Sequence, residues 1–219
     1  MRLCEDYVSS GAEYLTIPAK LNCVLYAVSG EIIIKRETTT LTAESEKAVF
    51  AGGPCKAQSI SEKSRVLRFE LLRKPEGVES SIDPSAGTES RVLLENQISL
   101  DPSAEYLMRC DRVDFDLGSE ALPHGHRGGG IRWLTAGELK VKQGEGEFHP
   151  MQVGDAWFED GKIPVHAIAS TEVLTAFIRV SILPREILGK SSIMYVDPED
   201  ANRSKPRTYT VYVDEPVEI

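Results

Sequence analysis

The feature that most constrains this chain is that it repeats its own order of strands. With Gly30 set over Gly137, the run from Val24 to Lys35, VLYAVSGEIIIK, lies over Ile131 to Lys142, IRWLTAGELKVK. Each has an apolar strand, a Gly-Glu turn and a second strand. Next, AVFAGGPCKAQSIS (Ala48 to Ser61) lies over AWFEDGKIPVHAIA (Ala156 to Ala169), and SRVLRFELLRKP lies over LTAFIRVSILP. A sequence built this way folds as two copies of one unit. Its apolar runs are short, rich in Val, Ile, Leu and Tyr, and cut by Gly, Pro, Asp and Ser clusters, while few windows keep a helical period beyond two turns. The unit is therefore an all-β barrel or sandwich.

The weakest join between the copies is KPEGVESSIDPSAGTES, Lys74 to Ser90, whose Pro, Gly, Ser and Glu read as a linker. This predicts a first barrel over residues 1–85 and a second over 86–219, with a strand-bearing tail from about 190. The tail RTYTVYVDEPVEI alternates β-branched and aromatic residues as an edge strand does. It is expected to cover an open edge, either of the first barrel or of a partner in a homodimer, and the sequence leaves monomer and dimer both open.

Composition removes several function classes. The formal charge is −9 and no run of Lys or Arg forms a basic stripe, so neither nucleic acid nor an anionic membrane is an expected partner. The start, MRLCEDYVSSGAEYLTIPAK, lacks the basic and apolar runs of a secretory signal, and no later stretch approaches a membrane span, so a cytoplasmic protein is expected. Cys4, Cys23, Cys55 and Cys110 are scattered without a C-x-x-C pair, which predicts buried thiols rather than a zinc ribbon or a disulfide framework. There is no G-x-S-x-G and no phosphate loop, and RGGGI lies between two strands rather than at a helix start.

Two of the four histidines stand one residue apart in LPHGHRGGGI. Residues i and i+2 of a strand share a face, so His124 and His126 project together and can share one ion. Imidazole serves Zn, Fe, Cu and Ni alike, and His166, on the strand after the EDGKIP turn, is the third expected ligand. His149, in EFHPM, reads as an exposed or edge-strand residue.

Gly118, His124, His126 and Gly137 match the motif G-x5-H-x-H-x3-E-x6-G at four of five fixed positions, with Gly130 where the motif has Glu. A second motif, G-x5-P-x-G-x2-H-x3-N, is met loosely by Gly154 and His166. The interval is one residue longer, Pro164 is displaced and Ser170 stands for Asn. On these residues the chain resembles the cupin superfamily, and since the repeat covers nearly all of it, a bicupin. The resemblance implies tandem jelly-roll barrels and a divalent metal (Fe, Mn, Ni or Zn) held in the second by His124, His126 and His166, without the Glu. That neutral three-histidine face resembles some cupin dioxygenases. Under the repeat, His124 falls over Ile17, His126 over Ala19 and His166 over Gln58, so the first barrel is expected to hold no such ion.

The leading expectation is thus a metal-binding bicupin that acts on a small organic substrate as a dioxygenase. The alternative is a non-catalytic barrel that binds or senses a small molecule. A sugar isomerase or epimerase of cupin fold lacks a His and Tyr pair that the sequence can place. Trp133, Trp157, Phe158 and Phe177 are expected in the core. Arg132 is expected to point outward if Ile131 and Trp133 point inward, and Arg127 to be a solvated turn residue. Glu31 and Glu138 read as matching turn residues, and Glu159 or Asp160 would supply the missing carboxylate only if their loop folds inward. The glycines of HRGGGI are expected to open room beside the ion and to let backbone approach.

Overall fold

The computed structural model describes residues 1–9, 11, 13–72, 82–203 and 205–219. They form two compact units, Met1–Pro102 with Val217–Ile219, and Ser103–Pro216. The first carries β1 (Arg2–Ser9), β2 (Glu13–Ile17), β3 (Asn22–Ser29), β4 (Ile32–Lys35), β5 (Thr40–Ala43), β6 (Lys47–Phe50), β7 (Cys55–Ser59), β8 (Lys63–Leu71) and β9 (Glu89–Glu95). The second carries β10 (Tyr106–Phe115), β11 (Glu120–His126), β12 (Gly130–Ala136), β13 (Glu138–Gln143), β14 (His149–Gln152), β15 (Ala156–Glu159), β16 (Val165–Ala169), β17 (Thr175–Pro184), β18 (Ile193–Tyr195) and β19 (Arg207–Val217). Two short 3-10 turns, Arg185–Ile187 and Pro198–Asn202, complete it. No helix among the described residues is long and apolar enough to cross a membrane.

The repeat holds at the level of topology, with β18 added at one edge in the second unit. One sheet runs β6-β3-β8-β1-β9 in the first unit and β15-β12-β17-β10-β19 in the second, and the facing sheets run β2-β7-β4-β5 and β18-β11-β16-β13-β14. Each unit is thus a double-sheet jelly roll of eight antiparallel strands with edge additions. Adding β9 to the edge of β1 explains why the division falls after Pro102 rather than at the expected 85/86, since residues 89–95 complete the first barrel's sheet. Residues 74–81 of the expected linker lie outside the described residues. The tail strand also differs from expectation. β19 lies beside β10 in the second barrel, because β9 already fills the equivalent edge of the first.

Burial explains which strands read clearly in the sequence. β13 and β16 alternate, with Leu139, Val141, Val165, Ala167 and Ala169 buried and the residues between them wetter, as in a sheet with one solvated face. β12 and β17 are covered on both faces and read as nearly continuous apolar runs. The first barrel is filled by an apolar cluster that includes Leu15, Ile17, Leu25, Ile32, Ile34 and Val66. Beside it Asp6 accepts from Tyr14 and Ser90, and Arg68 donates to Asp6 (Nε, 2.7 Å), Glu70 and the Ile82 carbonyl (2.9 Å). All four cysteines are buried and free.

Candidate functional site

Within the second barrel β11 brings His124 and His126 to one face, as their spacing requires. Their ring centroids are 4.9 Å apart in an edge-to-face arrangement, and both line a cavity of about 20 Å³. His124 Nδ1 lies 2.6 Å from the Leu122 carbonyl. That oxygen only accepts, so Nδ1 carries the proton and Nε2 is a bare acceptor. His126 is spanned by Ser192 Oγ, 3.4 Å from Nδ1, and Glu159 Oε2, 3.4 Å from Nε2. Burial pushes the His124 imidazole down to about 4 and that of His126 down to about 3, so both are neutral at pH 7.

His166 does not join them. In the β11/β16 register His124 stands opposite Val165, and that residue faces the cavity. Its neighbour takes the other face of the sheet. There His166 stands opposite Lys142, donates from Nε2 to the Glu120 carboxylate, and lies edge-on to Phe148, 5.0 Å between centroids. The signal was in the sequence: the interval before His166 is one residue longer than the motif, and one residue turns a strand side chain to the opposite face. His166→Ala is accordingly expected to change unfolding free energy by less than about 1 kcal/mol, since a partly exposed pair contributes little. A urea midpoint well below that of the parent would contradict this placement.

Four charged side chains that the sequence did not place inward are buried here, and three of them, Arg132, Glu159 and Arg179, line the cavity. The β12/β17 register sets Arg132 opposite Arg179, and β10/β17 sets Asp111 opposite Arg179. Arg179 donates to both Asp111 oxygens, at 2.9 Å from Nε and 2.6 Å from Nη2. Arg132 reverses the expectation. It is 1 % exposed and lines the cavity, while Ile131 and Trp133 are buried on the opposite face. Its Nη1 donates to the Gly130 carbonyl at 2.5 Å, and Nη2 lies 2.7 Å from Glu159 Oε2, off the line of a hydrogen bond. Glu159 also accepts from Trp157 Nε1 at 2.8 Å. Burial opposes its ionisation, but Arg132, His126 and Trp157 outweigh that and hold the carboxyl well below the usual carboxylate range. Burial pushes Arg132 down to about 10, whereas in Arg179 the Asp111 pair overcomes burial and raises the guanidinium.

Glu159 is the cross-strand partner of Gly130, the position where the motif has its carboxylate. Gly130 itself has no room: a Cβ there would lie 2.4 Å from the Val180 carbonyl. Gly128 would meet the Ile182 carbonyl at 2.0 Å. These glycines serve close backbone approach between strands rather than space beside an ion. Asp160 instead accepts from the amides of Lys162 and Ile163 in the turn. His149 is exposed on β14, and Arg127 pairs with Glu186 at the surface. Glu31 and Glu138 follow Gly30 and Gly137, whose φ of +80° and +69° define the matching turns.

The ion implied by the resemblance does not fit these residues as a three-histidine centre. The third ligand faces away, Val165 stands where it would be needed, and three guanidiniums, those of Arg132, Arg179 and Arg207, line the same cavity. Among the described residues, no three His, Cys, Asp or Glu side chains are grouped to hold an ion. At the mouth, Arg207 donates to the Glu120 carbonyl, Tyr195 Oη and Tyr209 Oη, each at 3.1 Å.

No family model matches the chain, and neither does any curated protein. Solved structures do. A cupin 2 conserved barrel domain protein from Leptotrichia buccalis is 15% identical, with 83% of this chain and 87% of that one covered, at a TM-score of 0.50. Vicilin from Solanum lycopersicum is 8% identical over 92% and 80%, at 0.61. A salicylate 1,2-dioxygenase from Pseudaminobacter salicylatoxidans is 10% identical over 96% and 75%, at 0.56. With its two jelly rolls of matching strand order, this chain is a protein of the cupin fold.

Proposed function

We propose that the chain is a small-molecule-binding cupin whose second barrel is the binding half. One observation carries this reading. The second barrel has a cavity whose lining includes a bare imidazole nitrogen on His124 and a buried Arg132 Nη2 without a hydrogen bond. Buried polar groups left open in this way cost stability and are characteristic of sites that a ligand completes. The interior of the first barrel, by contrast, is packed with aliphatic side chains.

A metal-dependent dioxygenase is the second reading. It is supported by the His124 and His126 pair, by Glu159 across from Gly130, and by the fold shared with a salicylate 1,2-dioxygenase. It requires Glu159 to exchange Arg132 for an ion.

Tryptophan fluorescence separates these readings, since Trp157 lines the cavity and Trp133 lies on the far face of β12. In a Trp133→Phe background, small carboxylates, alcohols and Mn(II), Fe(II) or Zn(II) are titrated one at a time. Saturable change with an organic ligand, lost in His124→Ala, supports the binding barrel. Stoichiometric metal with oxygen uptake on hydroxy-aromatic acids supports the oxygenase. Responses indifferent to His124 would overturn both.

A further inference from the structure

The loops that join β10 to β11, β12 to β13, β14 to β15 and β16 to β17 all lie at one end of the second barrel. Backbone hydrogen bonds tie them into a continuous rim. Gly118 N donates to the Ser170 carbonyl at 2.7 Å and Ser170 N to the Glu138 carbonyl at 3.1 Å, while the Leu134 carbonyl accepts from Gly154 N and Leu134 N donates to the Asp155 carbonyl, each at 2.9 Å. With adjacent strands about 4.8 Å apart, four neighbouring loops span roughly 15 Å.

This rim carries exposed aliphatic side chains and unpaired carboxylates together. Leu117, Val153, Val173 and Leu174 all stand out into solvent, Leu174 by 68 %. Asp116, Glu138, Asp155 and Glu172 are exposed beside them, one at each loop. Asp155 spends one oxygen on the Gln152 amide, and none of the four pairs with a basic side chain among the described residues. The loops themselves contain no Lys or Arg. A basic stretch, Lys205 to Arg207, does reach this end, where the Pro206 carbonyl accepts from Asp116 N at 3.2 Å. Its cations are engaged elsewhere: Lys205 lies over the Tyr195 ring, and Arg207 bonds to the Glu120 carbonyl and two phenols.

The first barrel supplies an internal comparison. Its matching loops hold Glu31, Glu44, Glu46 and Glu62, but Ile60 is their one large exposed apolar side chain among the described residues, and Lys47 and Lys63 open the strands that follow. Acidity at this end is common to both barrels. The cluster of exposed aliphatics belongs to the second alone.

Aliphatic side chains grouped on an exposed face mark an interaction surface. The acids decide what covers it. Two copies of this end face to face would set carboxylate against carboxylate with no cation between them, and an anionic lipid surface would be repelled for the same reason. A basic segment gains twice, because its cations meet the carboxylates while its apolar side chains cover the aliphatics.

We infer that this end of the second barrel docks a short basic segment of another protein, one in which Lys or Arg is interleaved with aliphatic side chains. The inference does not depend on what the cavity binds, and neither reading falls with the other.

The probe is a fluorescein-labelled octapeptide of alternating Lys and Leu, with a Lys/Ser peptide of equal charge and a Glu/Leu peptide of equal apolar content as controls. Fluorescence anisotropy on the full chain at about 0.15 M salt is expected to show the Lys/Leu peptide binding about tenfold or more tightly than the Lys/Ser peptide, and the Glu/Leu peptide not at all. Leu117→Ser combined with Leu174→Ser should bring the Lys/Leu peptide down to the Lys/Ser value. Glu138→Gln combined with Glu172→Gln should weaken it about threefold to tenfold and flatten its salt dependence. Ile60→Ser in the first barrel should change nothing. Every substitution is at an exposed position, and a parental urea midpoint reports that each variant is folded. Equal binding of the Lys/Leu and Lys/Ser peptides, or binding that survives the double Leu variant or falls as much with Ile60→Ser, would overturn the inference. So would a parent that sediments as a dimer and becomes a monomer in the double Leu variant, or one that floats with phosphatidylcholine vesicles, since the occupant would then be a second copy or a membrane.

Discussion

Replacing Asp111 with alanine is expected to destabilise the second barrel by about 3–5 kcal/mol, because it strands a buried guanidinium without its counter-charge. Arg179 is 7 % exposed and spends two donors on Asp111 across the β10/β17 register. The loss should depend on leaving the charge behind, rather than on losing the pair. Asp111→Leu combined with Arg179→Met, which removes both ions and keeps the volume apolar, should recover most of it. Both tryptophans lie in the second barrel, so fluorescence-detected urea unfolding isolates that transition from any unfolding of the first. A single variant as stable as the parent, or a double variant no better than the single, would count against the inward placement of this pair.

The same geometry recurs in the first barrel. Leu25 overlies Arg132 in the repeat, and Leu25 stands opposite Arg68 as Arg132 stands opposite Arg179. Arg68 and Arg179 are therefore equivalent buried arginines. The first barrel surrounds its copy with Asp6, Glu70, Ser90 and a carbonyl, whereas the second keeps Arg132 and His124 partly open. The two barrel interiors differ in these polar partners, since the strand order is shared.

Acidification is expected to weaken the second barrel well before its carboxylates titrate. The folded-state values of His124 and His126 lie below the ordinary imidazole value, so between pH 6.5 and about 4 the unfolded chain binds protons that the folded chain refuses. Stability is fully present above pH 6.5 and falls through this window, reaching the His126 limit nearer 3. At 1.36 kcal/mol per unit, each histidine contributes a loss on the order of 3 to 5 kcal/mol at the acid end. Glu159, also held low, adds its own loss only below the usual carboxylate value, so the upper part of the window belongs to the imidazoles. Urea midpoints at pH 7.5, 6 and 5 should decline in the parent and flatten in a His124→Gln, His126→Gln double variant. An unchanged slope in that variant would place these rings in water.

The architecture was legible because β-repeats leave a strong trace. Turn glycines at Gly30 and Gly137, with the strands on either side, mark the same hairpin twice, and the all-β class follows from run length and period. The pairing of His124 with His126 was legible for the same reason, since a period of two fixes their common face without any knowledge of the fold. His166 was half legible. The alternation of VHAIA sets it against Val165, Ala167 and Ala169, and the extra residue before it records the shift, but the motif drew it inward.

What the sequence by itself determined is a doubled all-β unit and the adjacency of two imidazoles, both local consequences of strand periodicity and turn chemistry. Only the tertiary structure decided which side of the central strands faces the cavity. β12 and β17 are covered on both faces, so apolar residues occupy both phases of the alternation and the period carries no sign. Arg132, Arg179 and Asp111 acquire their direction from cross-strand register alone, and that register is set by the closing of the barrel, a relation between residues far apart in the chain.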